Sequence, residues 1–185
     1  NTPEIKDPVY FKTVFNTLQT LIKDDLIAAG HDVSAGGLIT TLLEMCFPNN
    51  NTGATITLDG FDEENTIKIL FAENSGVVIQ ANNDIKVEEA LHTNGITAHK
   101  LGKPSINAKL DISHKNQSWA FAIAEYRDIW YFPSFQFDKN QTPEKLAEHR
   151  FNNYKIQALE YKFPNFFNGK RPEIPNNLQR PKAAI

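Results

Sequence analysis

The sequence of 185 residues is long enough for one domain and a short extension, but hardly for two full cores. Apolar residues make up 41% and charged residues 22%, a balance that excludes wholesale disorder. With 19 Lys and Arg against 22 Asp and Glu, the net charge is −3, which argues against a general nucleic-acid binder. No apolar run approaches the ~18 residues of a membrane span, and no secretory signal opens the chain. The single Cys46 cannot form an internal disulfide and predicts a reducing compartment, the cytoplasm.

The two ends of the sequence also carry information. The only methionine is Met45, so Asn1 is not a natural translation start. The other end stops at 182–185, where an apolar run begins after a proline. We therefore expect a piece of a longer protein, in which partners of any site can lie outside this sequence.

Up to residue 131 the patterns predict mixed helices and strands. Apolar positions recur in steps of three and four over 9–29, which predicts an amphipathic helix that ends at Gly30. Residues 36–47 are apolar nearly all round and predict a buried helix. The other predicted elements are strands at 54–58, 76–80 (an interior strand), 96–101 and 106–112, and helices at 65–72, at 85–93 after an Asp84 cap, and from Trp119 to Trp130. This mixture favours an α+β fold, with a mixed or antiparallel sheet and helices packed on one face.

The character of the sequence changes after residue 131. Residues 133–141 are aromatic and polar without a clear period, and 143–161 predict one long helix capped by Thr142. Four prolines within 164–181 indicate an extended connector. We therefore divide the chain into a domain at 1–131, a helical and extended connector at 132–179, and the start of a further domain at 180–185.

The segment from Gly30 to Leu38 is the part of the sequence best suited to chemistry. It joins the two predicted helices and holds an imidazole, a carboxylate, a hydroxyl and two adjacent glycines. We expect Ser34 to cap the helix that begins near Gly36, whose first turn has free backbone N–H groups and a partial positive charge. Gly36 and Gly37 would let a phosphate approach these amides closely. Asp32 supplies the carboxylate oxygens that Mg²⁺ prefers.

The same residue types also have an ordinary structural interpretation. Asp and Ser before a Gly-Gly pair are common turn and cap residues, and His31 could simply close a hydrogen bond in the core. Glu44 and Glu73 either face a nucleotide cleft or take solvated and capping positions. Cys46 lies on the buried helix and is interpreted as core packing rather than as a catalytic thiol. The remaining histidines lack the spacing of a zinc site.

Several segments of the sequence resemble a known family. Residues 30–45 resemble the "HD-x-S-D-G-G-L" signature, followed by a Glu-containing helix, in the C-terminal half of aminoimidazole-ribotide-synthetase-type domains. Residues 70–80 (LFAENSGVVIQ) resemble the "LF-x-E-E-x-G-x-V-x-Q" segment of one branch, the phosphoribosylformylglycinamidine synthases. Segments 128–141, 150–151 and 159–164 resemble the connector of their large single-chain form, and 180–185 is similar to the opening of their glutaminase domain. These likenesses touch most of the chain in the family's order.

The resemblance implies an ATP-dependent ligase of purine biosynthesis, which converts formylglycinamide ribonucleotide and glutamine to formylglycinamidine ribonucleotide. It implies that Asp32 is a Mg²⁺ ligand and that Ser34 contacts ATP or ADP at an auxiliary, structural nucleotide site, with no catalytic residue in this piece. At Ala35 the sequence departs from the family, which has a second aspartate there. The implied partners are the N-terminal synthetase-like half and the glutaminase domain of the same parent chain, without which the piece is expected to be inactive.

Two other functions stay open. The first is a non-catalytic interaction module, in which the glycine-rich turn only caps a helix and Phe163, Phe166 and Phe167 clamp onto a neighbouring domain. The second is another ATP-using enzyme of the same superfold, such as a selenophosphate or thiamine-phosphate enzyme.

Overall fold

The computed structural model describes residues 4–49, 51–154 and 162–167. The helices in these residues are α1 (Pro8–Lys23), α2 (Gly37–Cys46), α3 (Thr66–Phe71), α4 (Asp84–Thr93), α5 (Ile123–Gln141) and α6 (Glu144–Asn153). The strands are β1 (Ile27–Val33), β2 (Gly53–Thr57), β3 (Gly76–Ala81), β4 (Gly102–Ser105), β5 (Lys109–His114) and β6 (Gln117–Ala122). Within the described residues, no helix has both the length and the apolar character needed to cross a bilayer.

The main core lies between a four-stranded sheet and three helices. The strand order is β4-β2-β5-β6, with β2 parallel to β5 and the other neighbours antiparallel. Because side chains alternate along a strand, Leu110 and Ile112 of β5 point to the same face. The buried side chains of α2, α3 and α5 cover that face: Leu38, Ile39, Leu42, Leu43, Cys46, Ile69, Leu70 and Ile123. The expected α+β fold, with a mixed sheet and helices packed on one face, is confirmed.

Strands β1 and β3 form a separate antiparallel ribbon that positions the candidate site. Val78 of β3 packs on the main core, whereas its neighbour Ile79 packs on a second cluster formed by α1 and α4. The ribbon therefore lies between two apolar layers, as the period of two along a strand requires. Its register places Asp32 opposite Val77 and Val33 opposite Gly76, so β1 ends beside the start of β3.

Helix α1 is shorter than its apolar pattern predicts. The predicted range 9–29 is wrong at its C-terminal end because the helix closes with a Schellman motif, in which the Leu26 N–H donates to Leu21 O at 2.9 Å. Asp25 takes the left-handed position of this motif, with φ 56°. Gly30, predicted as the helix stop, lies inside β1.

Most of the other predicted elements are confirmed to within three residues: β2, α3, β3, α4 and β5. Three details are wrong. Asn83 caps α4 in place of Asp84, because its side chain accepts the Lys86 N–H at 3.1 Å. Strand β3, predicted as an interior strand, pairs with β1 alone among the described residues. The predicted strand at 96–101 is not formed, and β4 begins only at Gly102.

The segment from residue 117 to 122 is a strand, where the apolar spacing predicts the start of a helix. It forms β6, antiparallel to β5. Trp119 and Phe121 alternate with small or polar neighbours, so the segment fits a strand period as well as a helical one. Pairing with β5 decides between the two, because strand preference depends on the available neighbours.

Helix α5 continues through Pro133 to Gln141, although this region lacks a clear helical period. Proline inside a helix costs about 3 kcal/mol. Packing against α6 offsets this cost: the Phe151 ring stacks on Phe135 with centroids 4.5 Å apart, and its centroid lies 5.9 Å from that of Tyr131.

The predicted connector is described only in part. Thr142 ends α5, and the N-cap of α6 is Pro143, so the predicted Thr142 cap is wrong. Residues 155–161 and 168–185 lie outside the described residues, and most of the predicted proline-rich linker and the segment 180–185 lie there with them. The division at 1–131, 132–179 and 180–185 stays a prediction, and α5 runs continuously across its first boundary.

Candidate functional site

The turn at residues 34–36 joins strand β1 to helix α2, rather than two helices as the sequence predicts. Asp32 is the penultimate residue of β1. Its side chain is 79% exposed at this end of the ribbon. The carboxylate is therefore directed into solvent just before the N-terminus of a ten-residue helix, an arrangement that favours a cation bound to an anionic ligand.

The N-terminus of α2 is capped by a carboxylate from elsewhere in the sequence. Ser34 does not cap the helix as predicted, because the N-cap position belongs to Gly36, whose φ is 87°. The Gly36 N–H donates to Glu73 Oε1 at 2.7 Å. Ser34 takes part through its backbone, since its carbonyl accepts the Gly37 N–H at 3.0 Å. Of the two roles left open for Glu73, the capping one is confirmed.

The two glycines are required by contacts within the protein. A Cβ added to Gly36 would lie 2.2 Å from Thr40 Oγ1. A Cβ added to Gly37, whose φ is 72°, would lie 2.6 Å from Leu70 O and 2.8 Å from Phe71 Cα. The glycine pair thus lets α2 start directly against the backbone of α3, so the predicted reason for the pair, close approach of a ligand, is not needed to explain it.

The carbonyl of Asp32 has two polar side-chain neighbours. Its carbonyl oxygen accepts a hydrogen bond from Thr41 Oγ1 at 3.1 Å and lies 2.7 Å from His31 Nδ1. The His31 Nδ1 atom also lies 3.6 Å from Asp32 Oδ1. The backbone at the end of β1 is therefore fixed to α2, while the carboxylate itself stays open.

Glu44 is the residue beside the candidate site that sequence reasoning places least well. Its carboxylate, on a side chain 21% exposed, lies between two partners: Oε2 is 3.3 Å from His31 Nε2, and Oε1 accepts the Trp130 Nε1–H at 2.6 Å. The Trp130 partner comes from α5, 86 residues away in sequence. The only signal in the sequence is that Glu44 is the one charged residue of the apolar helix α2.

The described residues offer few ligands for a metal ion. They contain no group of three or more His, Cys, Asp or Glu side chains that could hold one. Asp32 can thus supply one carboxylate, and the remaining oxygens must come from a ligand, water or another segment. Cys46 is buried in the main core, and burial raises the pKa of its thiol, which confirms the structural interpretation.

The fold is that of an α+β domain of the AIR synthase-like type. PurL of Thermotoga maritima, in a structure complexed with ATP, aligns with a TM-score of 0.58 over 65% of this chain and 22% of that chain, at 16% identity. The chain belongs to the family of the AIR synthase related protein, C-terminal domain, whose model matches residues 1–109.

Two curated relatives align with nearly the whole chain. A protein of Arabidopsis thaliana named "Probable phosphoribosylformylglycinamidine synthase, chloroplastic/mitochondrial" is 36% identical over 195 residues, which covers 99% of this chain and 13% of that protein. Phosphoribosylformylglycinamidine synthase of Saccharomyces cerevisiae is 31% identical over 199 residues, which covers 100% of this chain and 15% of that protein. This chain therefore spans about one seventh of the length of these relatives.

Proposed function

We propose that this chain contributes a Mg²⁺–nucleotide half-site to a phosphoribosylformylglycinamidine synthase. In this proposal Asp32 binds Mg²⁺, and the turn that contains Ser34, Gly36 and Gly37 lies against the phosphates of ATP or ADP, which replace Glu73 at the Gly36 N–H. Membership of the AIR synthase related family and the names of the two relatives support the class of reaction. The single observation that carries the site is the 79% exposed side chain of Asp32 at the end of β1, one short turn before the N-terminus of α2.

The charges at the turn explain why such a site would need a cation. Asp32 and Glu73 both carry a carboxylate at this end of α2, so a polyphosphate placed there meets two negative charges. Bound Mg²⁺ would offset this repulsion and neutralise charge on the phosphate oxygens. The backbone of the turn supplies the fixed part of the site, since His31 and Thr41 hold the Asp32 carbonyl. Nucleotide binding here is thus proposed to depend on Mg²⁺.

The larger reaction is proposed by analogy with the relatives. It is the ATP-dependent conversion of formylglycinamide ribonucleotide and glutamine to formylglycinamidine ribonucleotide, in which the formamide oxygen is phosphorylated and then displaced by ammonia. The nucleotide at this half is proposed to be structural, and the N-terminal synthetase-like half and the glutaminase domain of a longer parent chain are the proposed partners. A cytoplasmic location stays a prediction from the single, unpaired cysteine.

A non-catalytic interaction module is the second candidate. The Glu73 cap favours it, because a carboxylate already occupies the Gly36 amide. The stacked rings of Phe163 and Phe167, with centroids 4.7 Å apart and both side chains exposed, also fit a partner-binding tail. In this alternative the turn only begins a helix, and nucleotide does not bind.

Calorimetric titration separates the two candidates. The chain is titrated with Mg²⁺ alone, with ATP in EDTA and with MgATP, and Asp32→Asn is compared with Asp62→Asn, a matched change on an exposed loop. We expect MgATP to bind the wild type and Asp62→Asn equally, and Asp32→Asn to lose about tenfold or more in affinity, as expected for a lost interaction with a charged group. Equal affinity in both variants, or no binding of MgATP by the wild type, contradicts the half-site.

A further inference from the structure

A network of side chains connects the candidate site to helix α5. Glu44 projects from the second half of α2, and its Oε2 lies 3.3 Å from Nε2 of His31, whose other ring nitrogen lies against the Asp32 carbonyl. On its other side Glu44 accepts the N–H of Trp130 from α5. Four residues from three elements thus form a continuous chain of polar contacts that ends at the peptide of Asp32.

The geometry of the network restricts the groups in it. Both carboxylate oxygens of Glu44 are engaged, one by each partner, so rotation of the carboxylate breaks at least one contact. The Trp130 ring is in turn held against Phe47, at the end of α2, with ring centroids 5.5 Å apart. Hydrogen bonds to an ionised group are the stronger ones in proteins, and their geometry is correspondingly better defined. His31 of β1 and Trp130 of α5 thus contact the two oxygens of one carboxylate.

Helix α5 also connects this network to α6, which lies in the segment 132–179 that the sequence predicts to be a connector. Trp130 is followed by Tyr131, whose ring packs on Phe151 of α6 with centroids 5.9 Å apart. Arg150 of α6 binds Asp138 of α5 through two nitrogens, at 2.8 and 2.6 Å. Helices α5 and α6 are thus held together by rings and an ion pair, and not only by the short segment of chain between them.

We propose that Glu44 and Trp130 are positioning residues for the Asp32 site, and that helix α5 responds to nucleotide binding there. This inference rests on the proposed function, because it assigns a support to the same site. Glu44 orients His31, and His31 fixes the peptide from which the Asp32 carboxylate projects. Neither Glu44 nor Trp130 contacts the nucleotide in this assignment. By reciprocity, a ligand that restrains Asp32 also restrains Trp130.

The first test compares two tryptophan variants by calorimetric titration with MgATP. Trp130→Phe removes the N–H donor and keeps an aromatic ring, whereas Trp119→Phe makes the same change on β6, away from the network. We expect Trp130→Phe to weaken MgATP binding about threefold to tenfold, the range for changes along a contact network. Trp119→Phe should leave the affinity within twofold. Equal affinities for the two variants overturn the proposal.

The second test needs no change at Trp130. The chain has two tryptophans, so Trp119→Phe leaves Trp130 as the only one. Addition of MgATP should shift the emission of Trp130 in this background, and Glu44→Gln should reduce the shift by more than half, while Glu44→Asp, which keeps the charge, restores part of it. If Glu44 only stabilised the fold, Glu44→Gln would leave the MgATP-induced shift of the Trp130 emission unchanged. An unchanged emission at saturating MgATP overturns the inference about α5.

The outcomes also separate this inference from the proposed function. If MgATP gives a binding isotherm that depends on Asp32, but neither Trp130→Phe nor the emission shows an effect, the half-site stands and the positioning role fails. If the wild type binds no MgATP, both fail together.

Discussion

The substitution Gly37→Ala tests how α2 begins. Gly37 is the first residue of α2, it is buried, and its φ is 72°. An added Cβ would lie 2.6 Å from Leu70 O and 2.8 Å from Phe71 Cα. Both atoms belong to the backbone of α3, so no side-chain rotation relieves the contact.

The expected cost has two parts. A β-carbon in the left-handed region costs about 1–2 kcal/mol. Forcing an extra carbon into a packed contact costs about 1–3 kcal/mol more. Together we expect Gly37→Ala to lower the free energy of unfolding by about 3 kcal/mol, a large share of the ~5–15 kcal/mol that stabilises a typical domain.

Gly95→Ala is the matched control for this change. Gly95 also has a positive φ, 64°, but an added Cβ has no heavy atom within 4 Å. This variant therefore measures the conformational cost alone, about 1 kcal/mol. The difference between the two variants, about 2 kcal/mol, isolates the clash with α3.

Urea unfolding followed by tryptophan emission gives both free energies. A difference below about 0.5 kcal/mol between Gly37→Ala and Gly95→Ala would falsify the packing of α2 against α3, since the clash alone is expected to cost about 1–3 kcal/mol. A second variant, Thr40→Ala combined with Gly36→Ala, extends the argument. The three heavy atoms nearest to the Cβ of Gly36→Ala all belong to the Thr40 side chain, so removing the Thr40 hydroxyl should recover part of the stability that Gly36→Ala loses.

Three further predictions concern single side chains. Glu73→Ala should lower the free energy of unfolding by about 1 kcal/mol, because it removes the cap of α2, while Asn74→Ala leaves it unchanged by the same denaturation assay. The hydrogen bonds from Arg150 hold the pKa of Asp138 below its ordinary 3.8. The ionised carboxylate therefore stabilises the packing of α6 on α5 above pH 3.8, and this stabilisation is lost as the pH falls through the lowered pKa. Near-ultraviolet circular dichroism should show this acid transition in the wild type and lose it in Asp138→Asn. Cys46 is buried, and burial raises the pKa of its thiol. Its reaction with a disulfide reagent should therefore be roughly a hundredfold slower in native buffer than in denaturant. A fast reaction in native buffer contradicts its place in the core.

The elements with one strong pattern could be predicted from the sequence. Helix α2 is apolar nearly all round, so its burial follows from composition, and its observed bounds differ from the predicted ones by one residue at each end. The apolar pattern predicts too long a helix α1 because it continues to Leu26, which packs on the second cluster from outside the helix. The sequence gives no signal for the end of α1, because Asp25 occupies the left-handed position where glycine is usual.

Strand β6 shows a different limit. Its residues fit the periods of both a strand and a helix, and the choice depends on β5 as a neighbour. Pairing of this kind is decided by tertiary structure, which a short window of sequence does not contain. Pro133 is a similar case, because α6 packs beside the part of α5 that contains it.

For the candidate site, the local part was predictable and the distant part was not. Asp32, Ser34 and the two glycines lie within six residues, and the sequence brings them together without any knowledge of the fold. The Glu73 cap and the Trp130 contact join residues 37 and 86 positions apart. No pattern predicts such pairs, because they arise where β3 meets β1 and where α5 meets α2.

The open character of the site is the feature that connects the fold to the proposed function. Mg²⁺ takes six oxygen ligands, and Asp32 supplies two at most. Since the described residues contain no cluster of three ligating side chains, a cation at Asp32 must complete its shell with phosphate, water or residues of another segment. A carboxylate that must share its ion in this way belongs at an exposed edge, which is where the end of β1 places it. An enclosed cage would instead have bound Mg²⁺ without nucleotide, and Mg²⁺ and nucleotide binding would then not depend on each other.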